Sequence, residues 1–207
     1  MLASWILLAA SFAPPERYVE SGILVSSDLP AIRVRVDAAF EYLGRFPIRI
    51  DDAAEGERLV FGEVRDDHVV RLFVAQFEHF LPEVDDWYRY SFEDAMELGG
   101  HRFRQNTYAY SNAEAARTNP GGESASMAAF LRGNGYRLED ELMMSRFVTV
   151  AGADKKHELI LFYIENLSTT GHELSELYDA SGNDTSIWKT VSMEITERSL
   201  ECFEILE

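Results

Sequence analysis

The chain is poor in cysteine, in lysine and in long apolar runs, and each shortage removes a class of protein. Its single cysteine, Cys202, excludes an intrachain disulfide framework and reads as a small buried hydrophobe rather than a nucleophile. No apolar stretch approaches the roughly 20 residues that span a bilayer as a helix, so no stable membrane span is expected. Lysine occurs only at Lys155, Lys156 and Lys189, while the net charge is −17. That balance repels phosphate backbones and anionic lipid, and so argues against nucleic-acid binding. No internal repeat of solenoid period is present.

What is there begins with an uncharged N-terminus. Leu2 to Ala10 form a short apolar core, and Ser11-Phe12-Ala13 put small residues where a signal peptidase would need them. No Lys or Arg precedes that core. The reading is a signal peptide over residues 1–13 and a periplasmic or secreted protein. Residues 14–30, with Pro14, Pro15 and Pro30, read as an extended arm or linker. Residues 31–207 read as one domain, since 46% hydrophobic content is that of a globular chain.

Period-two patterns dominate that domain. Ile32-Arg33-Val34-Arg35-Val36 alternates as a half-exposed strand, and Arg45 to Ile50 repeats the pattern with Phe46, Ile48 and Ile50 on one side. Leu59–Val64 and His68–Leu81 flank the polar Arg65-Asp66-Asp67 and predict a hairpin. Leu142–Val150 and His157–Leu167 predict a second. The later arm of each is apolar on both faces, which marks strands covered on both sides. Trp87–Phe92 and His101–Tyr110 also look strand-like. Ser111-Asn112-Ala113-Glu114 is a capping-box pattern. Helices are expected there, over Glu123–Arg132 up to Gly133, and from near Asp184, with a short strand over Cys202–Leu206. The sum is an α+β fold: a curved, mainly antiparallel sheet packed by a few helices.

Three constellations could carry chemistry. Gly121-Gly122-Glu123-Ser124-Ala125-Ser126 comes close to the G-x-S-x-G nucleophile elbow, but Ser126 replaces the last glycine and no strand precedes the turn. His172-Glu173 and His157-Glu158 each start a histidine–glutamate pair without the second histidine at i+4 that a zincin needs, so no metal or other cofactor is expected. The third is positional. Arg71, Gln76, Glu78, His79, Tyr108, Arg146, Tyr163 and Glu165 are polar groups set into or beside the doubly apolar strands. Polar groups converging on an apolar concave sheet make up a usual small-molecule pocket.

The leading expectation is therefore an exported, non-catalytic domain that binds a small apolar or amphiphilic ligand in a sheet-and-helix pocket. The alternative is a cell-envelope interaction module whose acidic surface meets a basic protein partner. A hydrolase using Ser124, or a Glu78/His79 pair, ranks behind both.

Overall fold

The strand and helix signals resolve into two antiparallel sheets. The computed structural model describes residues 16–206, so the proposed signal over residues 1–13 lies outside the described residues. Among the described residues there are eleven strands and four α-helices. The large sheet comprises β4 (Glu41–Ile50), β5 (Ala54–Arg65), β6 (His68–Phe80), β7 (Met96–Leu98), β8 (His101–Ser111), β9 (Glu141–Ala151) and β10 (His157–Asn166). Its spatial order is β4-β5-β6-β10-β9-β8-β7, so the two doubly apolar strands, β6 and β10, are neighbours at its centre.

Both expected hairpins form. β5 turns into β6 through Asp66 and Asp67 at φ of 50° and 63°, the left-handed pair that a tight hairpin turn requires. The edges are protected in different ways. Pro47 lies in β4, at an edge where a missing N–H can be tolerated, and β7 is only three residues long.

The second sheet has the order β1-β2-β3-β11, from β1 (Arg17–Glu20), β2 (Ile23–Ser26), β3 (Ile32–Val36) and β11 (Phe203–Leu206). Much of the stretch read as an arm or linker is thus built into a sheet. Ser21 and Gly22, at φ of 52° and 76°, fold it back into a hairpin whose second strand pairs with β3. Local composition could not show that pairing, because β3 supplies the partner.

The faces of the large sheet bury different partners. On one side Phe61, Phe73, Phe147 and Leu161 pack against Leu24, Val34 and Phe203 of the small sheet. Helix α4 (Ser186–Glu201) adds Trp188, Val191 and Ile195, spaced along one helical stripe. On the other side Val74, Met144, Ile160 and Phe162 meet Met127 and Leu131 of α2 (Glu123–Gly133). Helix α1 (Asn112–Thr118) precedes α2 and buries no residue fully; Ser111 caps it by accepting from the Glu114 N–H at 3.1 Å. The short α3 (Leu174–Leu177) joins β10 to α4.

One expected strand is not a strand. Trp87–Phe92 alternates in exposure as a strand would, with Trp87 and Arg89 outside and Tyr88 and Tyr90 turned in, yet pairs with no neighbour. Its alternation instead seats two tyrosines on the helix-bearing face of the sheet, their rings 6.4 Å apart and nearly parallel. A single backbone bond, Tyr88 N–H to the Lys155 carbonyl at 3.0 Å, ties the segment to the β9–β10 turn.

Candidate functional site

Strand alternation sets a row of polar side chains into the helix-bearing face. Arg58 of β5 stands opposite Gln76 of β6, and Glu78 of β6 stands opposite Glu158 of β10. Arg146 of β9 faces the same way, because it is the ladder partner of Phe162. All occupy the side that carries Val60, Val74, Val148 and Ile160.

Arg58 anchors the row. Its side chain is only 3% exposed, so each of its three nitrogens needs a partner. Nε donates to Gln76 Oε1 at 2.6 Å, Nη1 to the Glu123 carbonyl at 3.0 Å, and Nη2 lies 2.8 Å from Glu123 Oε1. Burial pulls the guanidinium pKa down, and the Glu123 charge opposes that. Glu123 is the first residue of α2, where the helix dipole favours a carboxylate. Gln76 completes the network: its amide donates to Glu123 Oε1 at 3.0 Å and to Glu78 Oε2.

The two carboxyls beyond Gln76 are closely confined. Tyr88 donates its hydroxyl to Glu78 Oε1 at 2.8 Å. Glu158 is less well served: Oε1 is 3.8 Å from Arg146 Nη2, and Oε2 is buried with no hydrogen-bond partner. Burial first, then the neighbouring Glu78 charge, pushes the Glu158 carboxyl up to about 8, against the weaker opposing pulls of the Tyr90 hydroxyl and then Arg146. Glu78 is raised as well, chiefly by burial. The pair therefore holds a proton at neutral pH that an exposed carboxyl would have released.

Between the sheet and α1–α2 lies a cavity of about 260 Å³. Val74, Met127, Met144, Phe162 and Ile164 give it apolar walls. Tyr108, Tyr110, Asn112 and Ser124 bring polar groups to the same lining, and Arg58 with Glu123 are its only charged members. Burial pushes the phenols of Tyr108 and Tyr110 up, so both remain hydroxyl donors at any ordinary pH. The Arg58–Glu123 pair also borders a larger neighbouring hollow of about 550 Å³ lined by Ile48, Asn119 and Gly121. The smaller cavity is the stronger candidate, because apolar walls with a few polar groups match what small-molecule sites are made of.

The eight residues singled out in the sequence divide between the two faces. Gln76, Glu78, Tyr108 and Arg146 share the helix-bearing face, and Tyr108 alone of these lines the cavity. Arg71, Tyr163 and Glu165 lie on the opposite face. There Tyr163 donates to Glu165 Oε2 at 3.1 Å, Arg198 Nε lies 3.0 Å from the same atom, and Arg71 Nε donates to Glu63 at 2.6 Å. His79 is also on that opposite face by alternation, stacked on His157 at 5.7 Å and 3.8 Å from Glu55.

Sequence reasoning missed Arg58, Glu123 and Glu158 as members of the site. Glu158 had a legible signal: it continues the Ile160, Phe162, Ile164 face, so its carboxyl had to be turned inward. Arg58 and Glu123 had none, since their meeting joins a strand to a helix 65 residues later.

Ser124 sits in the first turn of a helix that follows another helix across Asn119–Gly122, not at the end of a strand. Its hydroxyl meets Tyr110. Among the described residues no group of three or more His, Cys, Asp or Glu side chains is placed to hold a metal ion. No described helix is long and apolar enough to cross a membrane. No protein-family model, no curated protein and no solved structure matches the chain significantly.

Proposed function

We propose that the chain is an exported, non-catalytic binding protein for a small apolar or amphiphilic ligand, held between the large sheet and the α1–α2 pair. The observation that carries this reading is the cavity of about 260 Å³ with its apolar walls and convergent hydroxyls. Burying apolar surface there would supply roughly 25 cal/mol per Å² of ligand, and the hydroxyls would orient its polar atom. Export rests on the uncharged run over residues 1–13.

The neutral fluorophore N-phenyl-1-naphthylamine tests the binding. It should titrate the wild-type protein saturably, and Ala115→Trp, which fills the cavity from a helix with no fully buried residue, should weaken it by about tenfold or more. Equal binding by the variant would move the ligand elsewhere. For export, the intact mass of protein recovered outside the inner membrane should lack residues 1–13. A retained Met1 would refute that part.

A further inference from the structure

The cavity's only two charged lining residues are already spent on each other. Arg58 brings one positive charge and Glu123 one negative, joined at 2.8 Å, and the other two Arg58 nitrogens each have a protein acceptor, the Glu123 carbonyl and Gln76. A ligand carboxylate could reach at most the second hydrogens of Nη1 and Nη2, and would meet them beside the Glu123 carboxylate. Glu123 is held from three directions: by Arg58, by the Gln76 amide at 3.0 Å, and by its place at the start of α2. A ligand anion would have to displace it or lie against its charge, and a ligand cation would have to compete with Arg58 for it. Either leaves a buried or half-buried charge uncompensated, which is the expensive outcome in an apolar site. The other polar groups of the lining are uncharged: the hydroxyls of Tyr108, Tyr110 and Ser124 and the Asn112 amide.

We infer that the cavity selects an uncharged ligand, an aliphatic or aromatic molecule carrying an alcohol, ketone or ester oxygen, and that Glu123 is the residue that excludes carboxylates by neutralising Arg58. This rests on the binding role proposed above for the same cavity. It also assigns Glu123 a task that its position at the head of a helix would not by itself demand. The Glu123 side chain is 53% exposed, so removing its charge alters the cavity wall without opening a void in the core.

The test compares 1-octanol, octanoate and octylamine at neutral pH, read by the methyl resonances of Met127 and Met144, which line the cavity. In the wild type, 1-octanol should shift both methyls saturably, with the two charged probes at least about tenfold weaker. In Glu123→Gln, which keeps a hydrogen-bonding side chain and removes the charge, the affinity for octanoate relative to 1-octanol should rise about tenfold. Octanoate binding as tightly as 1-octanol in the wild type would overturn the inference, and so would a Glu123→Gln variant in which the octanoate-to-octanol affinity ratio does not rise. If none of the three probes shifts either methyl in the wild type, the binding role itself fails.

Discussion

Glu78 and Glu158 are direct cross-strand partners on β6 and β10, on one face of the sheet and both buried. Two carboxyls in that relation repel when ionised, and an antiparallel ladder holds opposite side chains at about 5 Å between Cβ atoms. A retained proton on the pair relieves that repulsion.

Stability should therefore fall as pH rises. Both carboxyls are raised above the ordinary 4.5, so between that value and about 8 the folded protein binds more protons than the unfolded chain. The contribution is fully present at the acid end and lost as pH passes through the folded-state value. Other groups facing the pair are Tyr88, Tyr90, Arg146 and Glu123. The two phenols are raised and stay protonated, so they do not reverse the sign. Glu158→Gln should flatten the decline and raise Tm at pH 8 by about 2–4 °C for each kcal/mol relieved, with less effect at pH 5. A steeper decline in the variant would show that the pair is not the source.

The Arg58–Glu123 pair should respond asymmetrically to truncation. Glu123→Ala leaves a guanidinium that is 3% exposed without its counter-ion and should cost about 3–5 kcal/mol. Arg58→Met leaves a carboxylate that is half exposed and free to hydrate, so its cost should be smaller. Urea unfolding of both variants checks the order, and the reverse order would contradict the burial argument.

Gly56 faces β6 with no room for a side chain. A Cβ there would lie 1.9 Å from the Phe77 carbonyl oxygen and 2.7 Å from the Glu78 Cα, both backbone atoms. Gly56→Ala should cost about 3 kcal/mol or more, because the strand pair must separate to admit it. Thermal unfolding is the measure. A loss under about 1 kcal/mol would mean that β5 and β6 shift easily, against the unbroken pairing from Ala54 to Glu63.

Tyr163 separates the two groups of polar residues by function. Its hydroxyl donates to Glu165, which keeps Arg198 at 3.0 Å and Thr169 at 3.2 Å when that donor is gone. Tyr163→Phe should cost about 1 kcal/mol and leave fluorophore binding unchanged, since the residue is on the far side of the sheet from the cavity. Weakened binding would give that face a part in the site.

Most elements were legible locally. Apolar residues on both faces of His68–Leu81 and His157–Leu167 announced two strands covered on both sides, and those strands are the centre of the large sheet. Ser111 announced a helix start, and the hairpin at Asp66-Asp67 announced itself by its polar pair. Trp87–Phe92 shows the limit of such signals. Period-two exposure reports which way side chains point, and an unpaired extended segment lying on a sheet produces the same period as a strand within one.

The sequence by itself determined the strand periods, the two apolar faces of the central strands, the helix caps and the inward side of Glu78 and Glu158. Those follow from bonds and alternation along a few neighbouring residues. Only the tertiary structure decided which inward groups meet. Register set Glu78 against Glu158 and divided the eight candidate residues between two faces, because a one-residue shift in pairing turns every side chain over. The docking of α2 brought Glu123 to Arg58 and closed the cavity beside them, a contact across 65 residues that no local pattern encodes.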